Sequence, residues 1–290
     1  MNSQKTKGTG NWRDRTPQLL ILFLLISCAF CVPFVAQQQL PLEPFRDTGA
    51  SITGAFEGWF KNNDGSFSLL VGYFNRNQKQ TLDIPVGPDN HIDPGGPDQG
   101  QPTHFLPRRQ WGVFTVTVPK DFGNKRLTWT ITANGQTTTV PLHLDPLWII
   151  TPYEDAGVGN TPPVVRFQPG ATAFTGPPRG IAQSLNAKVN QELPLTVWVT
   201  DDGKTPPEAR PRQGSPANIT WSKFRGPGSV TFENARPAVA MEDGKASTTA
   251  KFSAAGEYTI RLQANDASGD GGGGFQCCWT NLHVKVVVAS

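Results

Sequence analysis

The sequence is short of the residues that carry most enzymatic chemistry. Four cysteines and four histidines are spread over 290 residues. No G-x-S-x-G elbow, H-E-x-x-H pair, Walker A loop or dinucleotide fingerprint occurs, and the histidines are scattered without a paired carboxylate at a telling spacing. No catalytic residue is assigned, therefore, and the metal question stays open. Charge is scarce as well: 17% of the residues are charged, the net charge is +3, and no long run of Lys or Arg exists. That excludes the electrostatic footprint of a nucleic-acid-binding protein.

What is abundant is punctuation. Thirty Gly and 26 Pro interrupt short apolar runs rich in Thr, Val, Phe and Trp, the composition of strands and turns. At the N-terminus Lys5, Lys7, Arg13 and Arg15 precede the apolar run Leu19 to Ala36, after which the chain turns polar at Gln37. This order is the export-signal pattern. Cleavage after Ala36 is the first reading, although Phe34 is larger than the residue usually found there. A second is lipidation at Cys28, since Leu25-Ile26-Ser27-Cys28 resembles the lipobox of bacterial lipoproteins. The third is an uncleaved membrane anchor. All three place the rest of the chain in the periplasm or outside the cell, with membrane contact only through the N-terminal segment.

Period-two alternation begins at Ile52. Phe114, Val116 and Val118 share one strand face with Thr115 and Thr117 opposite; Leu127, Trp129 and Ile131 repeat the pattern. The organisation expected is an export segment (1–36), a linker (37–49), a β-sandwich (50–152), a turn-rich linker (153–161) and a second β-sandwich (162–290). The fold class is all-β, with two tandem sandwiches.

The second sandwich carries Trp221 in a strand, the turn Gly226-Pro227-Gly228 before Val230 to Phe232, then Ala250 to Phe252, Gly256-Glu257-Tyr258 and Leu262-x-Ala264-x-Asp266. These features resemble the PKD-like and related Ig-like domains of exported bacterial proteins, over roughly residues 162 to 288. The resemblance implies a sandwich fold, and a tyrosine corner in which the Tyr258 hydroxyl bonds back to the preceding turn. Ile260 stands where antibody domains place a cysteine, so packing rather than an inter-sheet disulfide must hold this core. Such modules serve mostly as spacers or binding platforms.

Two stretches, and one set of carboxylates brought together by the fold, invite a functional reading. Pro85 to Gly112, rich in Pro and Gly, reads as a long loop, either a binding loop or a solvated crossover. In it Asp93, His104, Phe105, Arg108, Arg109 and Trp111 form a candidate binding set, because adjacent arginines beside aromatics can clamp an anion or stack on a sugar. No cofactor is implied; Ca²⁺ is a weak alternative at Asp89, Asn90, Asp93 and Asp98, or where Asp201, Asp202, Asp266 and Asp270 meet at one pole. The last stretch is Cys277-Cys278 before a strand with Leu282, Val284, Val286 and Val288 inward. Unbroken alternation puts Cys278 inside and Cys277 outside with Trp279, Asn281, His283 and Lys285; a vicinal disulfide is the rival reading, and a soft-metal site with His283 the third.

The expectation is an exported, non-catalytic module that binds an envelope protein or a glycan. The alternative is an exported enzyme acting on a glycan or small anion through the 85–112 loop, which requires Asp93, His104 and Arg108 to share one pocket.

Overall fold

In a computed structural model of the chain, the described residues are 46–155, 157–204, 217–266 and 277–290. The export segment, Cys28, Asp270 and the glycine run Gly271 to Gly274 lie outside them. The described residues fall in one compact unit, Phe45–Ser290, and none of their helices is long and apolar enough to cross a membrane.

The protein is all-β. Its first half contains β1 (Ile52–Lys61), β2 (Phe67–Asn75), β3 (Leu82–Asp83), β4 (Asn90–Asp93), β5 (His104–Phe105), β6 (Arg108–Val118), β7 (Leu127–Ala133) and β8 (Gln136–Leu142). The sheet β1-β2-β6 packs on the sheet β4-β7-β8, with β3 and β5 as a short extra pair. Alternation sets the facing: Leu127, Trp129 and Ile131 enter the core while Thr128, Thr130 and Thr132 stay half-exposed. Trp129 is fully buried, and its indole N–H donates to Asn90 Oδ1 at 3.0 Å, so its one polar atom is satisfied.

The stretch 85–112 is not the open loop its composition suggests. Three polar side chains fold inward and replace the ladder that a regular sheet would supply. Asn90, fully buried, donates to the carbonyls of Ile84 and Pro102 at 2.9 and 2.8 Å. Gln99 reaches the carbonyls of Ile92 and Pro94, and buried Gln101 reaches that of Pro97. Polar composition therefore marks internal struts here beside solvated turns, since Asp93 to Asp98 are exposed.

The second half contains β9 (Val164–Arg166), β10 (Ile181–Lys188), β11 (Leu193–Thr200), β12 (Asn218–Arg225), β13 (Val230–Phe232), β14 (Lys245–Phe252), β15 (Gly256–Asn265) and β16 (Trp279–Ala289). The sheets are β10-β16-β15-β12 and β13-β14-β11-β9, with β10 parallel to β16. Leu195, Val197, Val199, Trp221, Ile260, Leu262, Val284 and Val286 fill the space between them. The tyrosine corner is present: Tyr258 is buried, and its hydroxyl donates to the Ala254 carbonyl at 2.9 Å. Gly226 and Gly228 are required beside it, because a Cβ at either would stand 2.1 or 2.5 Å from Tyr258.

Strand irregularities face the other half of the molecule. Between Lys223 and Arg225 the pairing of β12 with β15 shifts register. Phe224 is the extra residue, and it turns away from its own sandwich into the first core. On β1 the register shift at Phe56/Gly58 makes Glu57 the extra residue. On β6, Trp111, Gly112 and Val113 stand opposite Gly72 alone.

Because Phe224 belongs to β12 yet fills the first core, Phe224→Ala should cost about 3 to 5 kcal/mol, the usual range for emptying a buried aromatic site. Urea unfolding followed by tryptophan fluorescence measures it. A loss below about 1 kcal/mol would show that the first core does not depend on this side chain.

Candidate functional site

The two sandwiches meet where the outer face of β16 would otherwise see water. On that face stand Trp279, Asn281 and His283, all buried. This corrects the expectation that they face solvent: alternation is kept, but the outer face is covered by β6.

The contact is made by the irregular part of β6. Gly112 adopts φ +50°, and a Cβ there would lie 1.9 Å from the Trp279 ring, so only glycine admits the indole. Asn281 Nδ2 donates to the carbonyls of Trp111 and Gly112 at 3.3 and 2.9 Å, while its Oδ1 accepts from Arg261 Nε at 3.0 Å. Arg261 also donates to Gln110 Oε1 and to the Trp111 carbonyl, both at 3.3 Å. The His283 Nε2 lies 3.0 Å from the Val113 carbonyl. A carbonyl only accepts, so Nε2 carries the proton.

From the first half, Glu57 supplies the balancing charge. Its bulge aims the carboxylate inward, where Oε1 pairs with Arg109 at 2.7 Å and Oε2 accepts the Gly112 N–H at 2.8 Å. Gly72 lies beneath it, where a Cβ would stand 2.1 Å from Glu57 Oε1. Burial pushes the Glu57 carboxyl above its ordinary range, against the pull of Arg109 and the Gly112 N–H. Arg109 also sits 3.8 Å over the Trp111 ring.

A second row of pairs crosses the junction. Asp83 accepts from Lys223 at 3.0 Å and lies 2.8 Å from His104 Nδ1. Burial raises the Asp83 carboxyl, but the bonds from His104 and Lys223 outweigh it and hold it below its ordinary range. Burial lowers His104, with Asp83 opposing. Asp98 forms a two-pronged pair with Arg225 at 2.8 and 3.0 Å, which lowers its carboxyl, and Arg225 Nε donates to the Gln101 carbonyl at 2.7 Å.

Of the candidate residues read from the sequence, Arg109 and Trp111 are brought together, and the others have separate roles. Phe105 is core, packed between Tyr73 and Trp129. His104 is tied to Asp83, Arg109 to Glu57, and Asp93 is exposed at the end of β4, 3.3 Å from His91. Arg108 is exposed at φ +68°. The Ca²⁺ candidates are separate too: Asn90 is an internal strut, Asp98 is paired with Arg225, and Asp202 accepts from Thr161. Among the described residues no group of three or more His, Cys, Asp or Glu is placed to hold a metal.

Cys277 and Cys278 precede β16 and are joined as a vicinal disulfide. Both are buried, with sulfurs 3.7 and 3.3 Å from the Asn160 carbonyl. The exposed Cys277 expected from alternation is corrected, because regular strand geometry begins only at Trp279.

Beside this junction lies a cavity of about 550 Å³. Arg109, Gln110 and Trp111 of β6 form one wall, and Asn218 and Thr220 of β12 with Gln263 of β15 contribute from the other half. A smaller cavity, about 380 Å³, lies beside Tyr153, Phe174 and Arg179. Neither of these two cavities is lined by Asp93, His104 or Arg108, the three residues that the enzymatic alternative needs in one pocket. Sequence reasoning missed Glu57, Phe224, Arg261, Asn281 and the cavity-lining residues of β12 and β15. For Arg261 and Asn281 the one available signal was a charged or polar residue inside an otherwise regular strand; Glu57 and Phe224 carried none.

No protein-family model and no curated protein sequence matches the chain. Among solved structures it is similar to domains 4 and 5 of the S-layer protein SbsC, at 13% identity and a TM-score of 0.25, over 56% of this chain and 65% of that one. It is also similar to the D00-D0 domain of intimin, at 12% identity and a TM-score of 0.27, over 83% of this chain and all of that one. Likenesses at this level carry no statement about function.

Two outcomes follow from the junction. Burial, with Arg261 and Arg225 adding like charge and the Val113 carbonyl opposing, lowers His283 from 6.5 to about 3. The folded state then binds fewer protons than the unfolded one, so this contribution is complete above pH 6.5 and is lost as pH falls from 6.5 toward 3. Wild type should lose up to about 1.4 kcal/mol per pH unit more than His283→Gln over that window. Parallel curves in denaturant titrations would remove His283 as the cause. For the cysteines, neither sulfur should react with maleimide in native, unreduced protein, and the intact mass should be lower by two hydrogens; one labelled thiol would restore the alternating arrangement.

Proposed function

We propose that the chain works outside the cytoplasm as a non-catalytic module of the cell envelope, holding an envelope protein or glycan on a rigid two-sandwich scaffold. The observation that carries this reading is the junction. Buried Arg261, Asn281 and His283 grip the backbone of Trp111 to Val113, and Phe224 crosses into the opposite core, so the halves support one another. Beside that fixed contact lies a cavity with walls from both halves. A preformed, polar-rimmed concavity between two rigid elements is the usual setting for recognition.

The export order of the N-terminus supports the compartment: basic residues up to Arg15, then the apolar run Leu19 to Ala36. A disulfide between Cys277 and Cys278 agrees with an oxidising environment. Separation of the native host's cytoplasmic and envelope fractions, with intact-mass analysis of the chain, tests the reading. The expected product lies in the envelope fraction, begins near Gln37 or at a lipidated Cys28, and cross-links to an envelope component. A cytoplasmic product retaining Met1 would overturn it.

A further inference from the structure

We infer that the junction cavity is a saccharide site that takes a short glycan bearing a carboxylate, such as a uronic-acid-containing oligosaccharide. The inference rests on the binding-module reading above and names the ligand class of its cavity.

The floor is the uncovered part of a sheet whose other part makes the junction. On β12, Ile219 and Trp221 point into the sandwich core, leaving Asn218 and Thr220 on the outer face; on β15, Leu262 and Ala264 point in and Gln263 and Asn265 point out. The register sets Asn218 opposite Asn265 and Thr220 opposite Gln263. Four amide and hydroxyl side chains therefore form a two-by-two patch on paired strands, and all four line the cavity. One step across the sheet, Gln263 is paired with Asn281, which is already under β6.

Such a floor offers donors and acceptors together. Amides present both in one plane, as vicinal sugar hydroxyls require. Trp111 also lines the cavity, with Arg109 stacked on one face of its ring and balanced by Glu57; a sugar ring would pack on the ring surface that Arg109 leaves uncovered. The third side is the segment Arg236 to Val239. Arg236 is exposed and its guanidinium makes no bond within the described residues, only its backbone N–H being bonded, to Asn234. The lining contains two cations, Arg109 and Arg236, and no Asp or Glu. A carboxylate on the ligand supplies the missing anion, and Arg236 is the group to receive it.

A glycan fits better than an acidic peptide. A peptide would bind by adding a strand to the edge of β12, yet that edge is already engaged where the Trp221 N–H donates to the Ala235 carbonyl at 2.8 Å. A volume of about 550 Å³ also lies within the range of closed small-ligand sites.

The test titrates the purified full chain with oligosaccharides of glucuronic acid and N-acetylglucosamine, two to four sugars long. Matched probes have the carboxyl reduced to an alcohol, and a heptapeptide of glutamate serves as the acidic-peptide probe. Calorimetry and tryptophan fluorescence read the affinity. The acidic saccharide should bind saturably, carboxyl reduction or Arg236→Ala should each weaken it roughly tenfold, and Gln263→Ala should weaken the acidic and reduced probes alike. Thermal unfolding of Arg236→Ala should match wild type, since the side chain is exposed. Absence of saturable saccharide binding, indifference to Arg236→Ala, or Arg236-dependent binding of the glutamate peptide instead would overturn the inference. The envelope fractionation above does not involve Arg236, so the two readings fail independently.

Discussion

The fold depends on one condition: β16 is buried on both faces, although only one face is apolar. Leu282, Val284, Val286 and Val288 satisfy the second core in the ordinary way. Asn281 and His283 on the other face, with Arg261 beside them, must find partners without water, because an unpaired buried polar group costs about 1 to 3 kcal/mol. Regular strands offer few free carbonyls, since their ladders use them. The interruption of β6 at Trp111 to Val113, where three residues stand opposite Gly72, frees carbonyls of all three for side chains of the other sandwich. Glycine at 72 and 112 is then fixed by sterics: Glu57 fills the space above one and Trp279 the space above the other.

Charge follows the same division. The second half brings Lys223, Arg225 and Arg261 to the junction, and the first brings Asp83, Asp98 and a set of carbonyls. The carboxylates Asp83 and Asp98 are exposed on their outer side, and pairs open to water contribute little singly. Their value here lies in direction, since each cation finds its acceptor only when the sandwiches stand in one orientation. His283 is held neutral chiefly by its burial, and the like charges of Arg261 and Arg225 act in the same direction.

Much of the fold was legible because alternation is a strong signal where one face of a sheet is wet. The paired sheets and the inward valines of β16 rest on it, whereas the tyrosine corner at Tyr258 was implied by the resemblance to Ig-like domains. Two kinds of feature were not legible. Period two tells which side chains share a face, but not whether a second sandwich covers the polar one, so Asn281 and His283 read as exposed. Bulges were invisible as well: one extra residue re-aims Glu57 and Phe224, and no local sequence rule marks either position. The stretch 85–112 was legible only in part, for a different reason. Pro, Gly and amide residues suit a solvated loop, but the same amides suit internal struts, and only the surroundings of Asn90, Gln99 and Gln101 distinguish the two.

The placement of the cavity follows from incomplete coverage of one sheet. The first sandwich seats itself on the outer row Arg261, Asn281 and His283, where side chains can reach the free carbonyls of β6. Farther along β12 and β15 the outer face carries Asn218, Thr220, Gln263 and Asn265, and there the two halves diverge around a cavity instead of touching. The floor lies on strands paired in register and the Trp111 wall is held by Glu57, Arg109 and the junction itself, so these two sides of the cavity are fixed by contacts within the protein, while the Arg236 side chain is not. Ordering costs that a loop-built site would incur on binding are thereby reduced. The same buried contacts that make the two sandwiches one body also shape the cavity proposed as the recognition site, so disturbing the junction would disturb that cavity as well.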